Sequence, residues 1–567
     1  MASPKHLDVI EAAEANKVAS HSVSLIFTDL KITSDYIFIL EDAVIVKKVI
    51  TQTLRWKIVA QVVLSLIATF SLSMIPACNK FLVDIVLPNG GNGLVSLITV
   101  YLASYFVFLL ATWGSERFVW KCAIAFENTL KKICFNSIFS KSFTSFSERK
   151  SDEYLSLITN NITSIEQDYL QPICALIKSI FSVCIYGVVI SIYTSPIICI
   201  FLIALSIFAA FTPKIYKKQL SKAGKEYVDE AAIYTKKISD LLDGFELVDN
   251  NSRPAYSQVN EKFTNFLSKK RLNLGMKKVN GNTISGAAIC IIDILTFVLC
   301  GVLLINGDIT AGTVLAAITY AQSFTEPIQE ILYDLNALNA SKDIVNSLEK
   351  ILTDIDKDNS VKVGEPKKNI VLRDLSVKYS DKIFQYAVDF TVGNKYLIIG
   401  ESGSGKSTLL NILMERCNYT GDILIDGSTS HLDGNNVFYL SQNQHVFCES
   451  FLDNTTIFKT YNLPDKQILS SLPLYENIFD AQDCSTLSGG EQQVMKICRI
   501  LSQGKKVVLI DEPFSAVDSQ NRRKLFHLLS ESPATIILVA HDFDFEASDL
   551  KKWEKINIGD ICNETRV

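Results

Sequence analysis

Six runs of about twenty mostly apolar residues limit what this chain can fold into more than any other feature. They lie at about 57–79, 94–115, 171–194, 196–213, 284–305 and 312–333. Runs of this length suit a helix crossing ~30 Å of hydrocarbon at 1.5 Å per residue, and inside lipid a helix pairs every backbone N–H and C=O internally. "KIVAQVVLSLIATFSLSMIPA" (57–77) and "ISGAAICIIDILTFVLCGVLLI" (284–305) are the clearest; the sixth, with "TYAQSFTEPIQEIL", is half polar. All six precede residue 335, and the rest of the chain reads as soluble α/β.

The connections between the runs set the expected orientation. The short turns "LPNGGNG", "YTSP" and "NGDITAG" carry no Lys or Arg, whereas segment 117–170 carries seven and segment 214–283 fourteen. That asymmetry assigns both long segments, the N-terminus and everything after the sixth run to the cytoplasm. The long segments show apolar residues at three- and four-residue spacing, so spanning helices are expected to continue into the cytoplasm and turn back. Residues 40–56 are expected to form an amphipathic helix lying on the membrane. The chain then divides into an N-terminal cytoplasmic segment 1–40, a transmembrane domain 41–345, a linker 346–368 and a domain 369–567.

A net charge of −5, with bases and acids interleaved, excludes nucleic acid as a partner. The thirteen cysteines are scattered without a CxxC pair, as expected of small buried hydrophobes in a reducing compartment. The first fifty residues carry no secretory signal pattern.

Past the linker, "VLRDLSVKY", "KYLIIG", "GDILIDG", "NVFYLSQ", "VVLIDEP" and "TIILVAHD" alternate with helical stretches, indicating an α/β nucleotide-binding domain. "GESGSGKST" (400–408) fits G-x-x-x-x-G-K-[ST] between a strand and a helix. Gly400, Gly403 and Gly405 let backbone N–H groups of the loop Gly400–Glu401–Ser402–Gly403–Ser404–Gly405 close on phosphate oxygens. Lys406 reaches the β/γ-phosphates, Ser407 ligates Mg²⁺ and Thr408 opens the helix. In "VVLIDEP" an apolar strand ends in two carboxylates: Asp511 is expected to hold Mg²⁺ through water, and Glu512 to polarise the attacking water. His541 ends a further strand, placed for the γ-phosphate.

The ordered set Tyr379, "GESGSGKS", Gln442 in "FYLSQNQ", "LSGGE", "VVLIDEP", "SAVD" (515–518) and His541 resembles the ATP-binding cassette of ABC transporters. Together with six upstream spans and two long cytoplasmic excursions, it resembles an exporter-type ABC half-transporter over nearly all of the chain beyond residue 40. The resemblance implies a multidomain membrane protein, with an all-α six-helix transmembrane domain and long cytoplasmic helical extensions, followed by an α/β P-loop nucleotide-binding domain. It implies ATP and Mg²⁺ as cofactors, Tyr379 stacking on adenine, and Gln442 ligating Mg²⁺ and sensing the membrane domain. Ser488, Gly489, Gly490 and Glu491 would close on the nucleotide of a second cassette, with Asp518 beside it. The N–H groups and positive dipole end of the helix that begins there give the physical reason.

The functional unit is then two cassettes. Because Glu512 and "LSGGE" are both retained, a homodimer is favoured over a heterodimer with a second half-transporter. The implied activity is ATP hydrolysis coupled to export of a peptide, lipid or hydrophobic compound by alternating access, with import of a small ligand or metal chelate as the alternative. The expected setting is a bacterial plasma membrane, multi-pass, with N-terminus and cassette in the cytoplasm. Two departures stand out. "DAQDCST" (480–486) replaces the glycine- and glutamate-containing loop of exporters, and the first forty residues hold no cysteine, so the N-terminal cysteine peptidase of leader-cutting transporters is not expected. Coupling contacts are expected near 150–158 and 236–246. Lys178 and Asp293, charged inside spans three and five, either pair with each other or face substrate.

Overall fold

The structure is a computed structural model. It describes residues 44–210, 212–353, 363–379, 382–432, 434–514, 516–540 and 549–566. The chain separates into two compact units, Met1–Phe139 with Ser151–Asp354, and Ser140–Lys150 with Ile355–Val567.

The first unit is helical. A short helix α1 (Val44–Thr53) leads into α2 (Arg55–Phe81), α3 (Leu94–Phe139), α4 (Gln171–Tyr193), α5 (Pro196–Ala210), α6 (Thr212–Asp243), α7 (Arg253–Ile305) and α8 (Ala311–Thr353). By length and composition, the helical stretches 55–86, 94–139, 151–193 and 253–305 can cross a membrane; α5 is apolar but shorter. Lipid provides no hydrophobic drive between helices, so small and hydroxylated side chains make the close contacts. Ser65 Oγ meets Ser115 Oγ at 2.7 Å between α2 and α3, and Thr69 Oγ1 meets Ser182 Oγ at 3.1 Å between α2 and α4. Leu102, Phe106, Leu109 and Trp113 on α3 stay exposed, as a lipid-facing stripe requires. Asp84 receives the Gly312 N–H at 2.9 Å and the Thr310 hydroxyl, so the N-terminus of α8 is closed by a carboxylate from the end of the second-helix stretch.

The expectation for residues 40–56 is corrected in one respect. A helix forms over Val44–Thr53, but its apolar face covers protein, not lipid. Val46 and Val49 are buried with Phe126, Leu130, Ile165 and Leu348, and the N–H groups of Ile45 and Val46 donate to Glu349 at 2.7 and 2.8 Å. Lys178 does not pair with Asp293. Its ammonium lies 3.6 Å from Glu330, while Asp293 Oδ1 is buried without a hydrogen-bond partner.

The second unit is α/β. Its strands of four or more residues are β1 (Asn369–Tyr379), β2 (Lys382–Thr391), β3 (Lys395–Ile399), β4 (Thr420–Ile425), β5 (Val437–Leu440), β6 (Val507–Asp511), β7 (Thr535–Ala540), β8 (Trp553–Asn557) and β9 (Cys562–Arg566). Five form a parallel sheet in the order β8-β3-β7-β6-β5, and β9-β2-β1-β4 form an antiparallel sheet extended by Ser428–Thr429. The parallel strands read as unbroken apolar runs because both faces are covered. Val508 and Ile510 enter one core with α10 (Gly489–Gln503) and α11 (Ser519–Glu531). Val507 and Leu509 enter the other, with α9 (Lys406–Leu413) and the antiparallel sheet. Crossing from β3 to β7 to β6 to β5 brings the loops after these strands to one edge, the carboxyl end, where open α/β sheets bind ligands.

The segment Ser140–Lys150, with its short helix Phe143–Ser147, belongs to this second unit. The Arg416 guanidinium lies between the Phe143 and Tyr439 rings, 4.4 and 4.6 Å from their centroids. Residues 140–150 thus group with the cassette.

Candidate nucleotide site

The loop after β3 supplies the first part of the site. Gly405 has φ +94°, and a Cβ there would lie 2.6 Å from Tyr386 Oη, so glycine is required on both counts. Tyr386 donates its hydroxyl to the Gly405 carbonyl at 2.8 Å, which fixes the last turn of the loop before α9 begins. Ser404 Oγ donates to Glu401 O at 2.7 Å, and Gly400, Ser402 and Gly403 complete the curve. Lys406 is buried, and its ammonium donates to the carbonyls of Gly400 and Glu401, both at 2.7 Å. Burial pulls its pKa down, while Glu512 and Asp511 act in the opposite direction.

The two carboxylates end β6. Asp511 is 6% exposed; Tyr439 donates its hydroxyl to Oδ2 at 3.4 Å, and Oδ1 is buried with no hydrogen-bond partner. Burial raises the Asp511 carboxyl, with Ser407 opposing. A buried carboxylate oxygen left unsatisfied beside a hydroxyl is the donor set a hard divalent cation takes. Glu512 adopts φ +47°, a sparsely populated conformation for a residue with a side chain. Its N–H donates to Val539 O at 3.1 Å, and Gln442 Nε2 donates to Glu512 Oε2 at 2.9 Å. The structure thus brings Lys406, Ser407, Gln442, Asp511 and Glu512 together from three loops.

"LSGGE" forms the start of α10. Ser488 is the N-cap: its hydroxyl accepts from the Glu491 N–H, and the Glu491 carboxylate accepts from the Ser488 N–H at 2.9 Å. This reciprocal box satisfies two N–H groups and fixes the helix start. The first-turn N–H groups of Gly489 and Gly490 are those a helix leaves without an internal partner. A Cβ on Gly490 would lie 3.0 Å from the Ala516 carbonyl, so the glycine lets α10 sit against the "SAVD" segment. Asp518 accepts from the N–H groups of Gln520 and Asn521 and caps α11. Among the described residues no hydrogen bond joins the Ser488 helix start to the Lys406 loop. Thr408 lies in the first turn of α9, and Tyr379 ends β1 opposite Lys382. The Tyr379 ring and His541 lie outside the described residues.

Sequence reasoning missed three residues. Tyr386 and Tyr439 read as strand residues; only cross-sheet packing puts their hydroxyls on the phosphate loop and on Asp511. Arg499, on α10, is 2% exposed. It donates to Asn454 O at 2.7 Å, His445 O at 2.7 Å and Asn454 Oδ1 at 2.6 Å, tying α10 to the stretch just past Gln442. A charged residue within the apolar stripe of an amphipathic helix was the available signal. The "DAQDCST" stretch is anchored by backbone bonds from Phe451 to Ala481 and from Cys484 to Glu449, both 3.0 Å.

A family profile described as ABC transporter matches residues 384–515, and one described as ABC transporter transmembrane region matches residues 58–328. The chain is 23% identical over 519 residues to the lactococcin-A transport/processing ATP-binding protein of Lactococcus lactis, covering 84% of this chain and 70% of that protein. It is 23% identical over 484 residues to an ATP-dependent lipid A-core flippase of Syntrophus aciditrophicus, covering 79% and 78%. A putative multidrug export ATP-binding/permease protein of Bacillus subtilis is 21% identical, covering 84% and 88%. The fold is similar to that of a bacterial Atm1-family ABC exporter solved with ATP bound, with a TM-score of 0.71, 15% identity and coverage of 89% and 94%. The chain therefore belongs to the ABC transporters, as an exporter-type half-transporter: an integral membrane protein that fuses a transmembrane region to an ATP-binding cassette and couples ATP hydrolysis to transport.

Proposed function

We propose that two copies of this chain form an exporter with two equivalent ATP sites, and that its cargo is a peptide, a lipid or another hydrophobic compound. The observation that carries the homodimer is that each copy holds both halves of a site, Glu512 beside Lys406 and an intact Ser488–Gly490 helix start. Closure of one copy's helix start over the other's Lys406 loop completes each site, so ATP binding pulls the cassettes together. The names of the relatives, all given to transport or processing, flipping or export, favour export over import.

Within a site, Lys406 and the loop N–H groups hold the β/γ-phosphates, and Tyr379 stacks on adenine. Glu512, held in its strained conformation by Gln442, orients the attacking water and takes its proton. Asp511 Oδ1, Ser407 and Gln442 fit Mg²⁺, with Asp511 acting through water; when bound, the ion neutralises charge on the phosphates. His541 is assigned to the γ-phosphate and Asp518 to the nucleotide. The Lys- and Arg-rich segments 117–170 and 214–283 support a cytoplasmic cassette in a bacterial plasma membrane.

The test is ATP turnover by this chain, purified alone into lipid nanodiscs. Mg²⁺-dependent hydrolysis that falls by about 10²-fold or more in Glu512→Gln is expected for loss of a general base. Folded, ATP-binding protein that does not turn over would refute the self-sufficient homodimer.

A further inference from the structure

Helices α2 and α3 run antiparallel, and three contacts fix their register. Ser65 Oγ meets Ser115 Oγ at 2.7 Å, Ser115 Oγ donates to Gln61 O at 3.3 Å, and a Cβ on Gly114 would lie 3.1 Å from Leu64 Cδ1. Continued by one to two turns, that register sets Arg55 and Lys57 level with Lys121 and Cys122, and the Lys57 ammonium is close enough to act on the Cys122 thiol. The apolar runs 57–79 and 94–115 therefore end at one level, and four bases gather there: Arg55 and Lys57 from α2, Arg117 and Lys121 from α3. Among the described residues none of the four takes part in an ion pair. Glu116 is the one acid within residues 43–83 and 113–126.

Tryptophan marks the same level. Three of the four in the chain, Trp56, Trp113 and Trp120, stand here and are 79, 61 and 67% exposed, whereas Trp553 of the cassette is buried. On α3, Trp113, Arg117, Trp120 and Lys121 share one face by helical spacing, and Trp113 continues the exposed stripe of Leu102, Phe106 and Leu109. The Arg117 guanidinium stacks on the Trp113 ring, 4.6 Å from its centroid, which steadies the planar N–H fork without using its donors. Indole rings favour the depth of lipid headgroups, with the apolar body toward the acyl chains and the N–H toward water. Four like charges without acids repel one another, and an anion at that depth relieves them. A soluble anion would satisfy the bases alone; a phospholipid satisfies bases, indoles and apolar stripe together.

We propose that the face built by Arg55, Lys57, Arg117 and Lys121 binds the phosphodiester headgroup of an anionic phospholipid, whose acyl chains lie along the exposed stripe of α3. Arg117 and Lys121 hold the phosphate from α3, Arg55 and Lys57 from α2, so that one lipid bridges the two helices. The inference rests on the transmembrane region, and not on the dimer, the cargo or the direction of transport.

The experiment uses tryptophan quenching on the full chain in phosphatidylcholine nanodiscs. The discs carry the same small fraction of either phosphatidylglycerol or phosphatidylcholine brominated on its acyl chains, and the ratio of the two quenching responses gives the preference of the face. Brominated phosphatidylglycerol should quench as though enriched about tenfold or more over brominated phosphatidylcholine. Arg117→Gln and Lys121→Gln should each cut that preference by about two- to fivefold. Lys132→Gln makes the same change of charge about 16 Å beyond Lys121 along α3 and should leave the preference unchanged. Arg117→Lys, which keeps the charge, should retain more of it than Arg117→Gln. Each variant is scored only if its cassette binds ATP as the parent does. Equal quenching by the two lipids, an unchanged preference in Arg117→Gln and Lys121→Gln, or an equal loss in Lys132→Gln would overturn the site. So would quenching by neither lipid, which means that protein covers this face, and abolition of the preference by excess glycerol 3-phosphate, which means that a soluble anion is the ligand.

Discussion

Arg499→Met offers the sharpest test of how the cassette is held together. The guanidinium is buried and makes three bonds of 2.6–2.7 Å to Asn454 and His445, and Asn454 is itself fully buried. Methionine fills similar volume but strands the carbonyls of Asn454 and His445; Asn454 Oδ1 keeps the Phe447 N–H at 3.0 Å. Two stranded acceptors at about 1–3 kcal/mol each, less the relief of no longer burying a cation that has no carboxylate partner, give about 2–3 kcal/mol. Through RT ln K this corresponds to roughly 30- to 150-fold greater opening. Hydrogen–deuterium exchange of the full chain reads it directly: amides of 447–456 and of the first turns of α10 should exchange faster by that factor. Arg499→Lys, able to keep one of the three bonds, should fall between. Unchanged exchange at 447–456 in Arg499→Met would refute the claim that this residue ties the Gln442 stretch to α10.

Three further predictions concern the nucleotide site and its surroundings. Burial raises the Asp511 carboxyl, so the folded chain keeps that proton to a higher pH than the unfolded chain, and stability falls as pH climbs from about 4 through the raised value. Without nucleotide, Asp511→Asn should therefore raise the thermal midpoint at pH 7 and lose that gain near pH 4, and with MgATP the same variant should not turn over; a lower midpoint at pH 7 would contradict this. Gly405→Ala drives a Cβ to 2.6 Å from Tyr386 Oη at a positive φ. A combined cost of about 2–4 kcal/mol should weaken binding of a fluorescent ATP analogue more than tenfold. Arg416→Ala removes the stack between Phe143 and Tyr439 and should speed amide exchange in 140–150; unaltered exchange there would mean the stack contributes nothing.

Patterns that are local along the chain carried most of the fold. Apolar runs near twenty residues marked the helical membrane unit, and short apolar runs bounded by turns marked the α/β cassette. The phosphate loop, the paired carboxylates and the Ser488 helix start were legible because each needs particular residues at fixed spacing. What was not legible depends on which element lies alongside which. Helix α1 has the pattern of a membrane-surface helix, and only the packing of α3 and α8 shows its apolar face covered by protein. Lys178 and Asp293 looked like candidates for each other because both are isolated charges. The partner of Lys178 is Glu330, which sits in the half-polar sixth run, where a charge is not isolated by pattern. Tyr439 and Tyr386 gained their places from strand register across two sheets, which no local pattern encodes.

The central claim, that each ATP site is shared between two copies of this chain, is tested most directly by complementation. Lys406→Ala disables the phosphate loop and leaves the helix start intact; Gly490→Asp does the reverse, placing a carboxylate where phosphate is held. Each variant alone should be inactive. Co-expressed in equal amounts, random pairing makes half of the dimers mixed, each with one intact site of two, so turnover should return to about a quarter of the parent value. A mixture no more active than either variant alone would contradict the shared site.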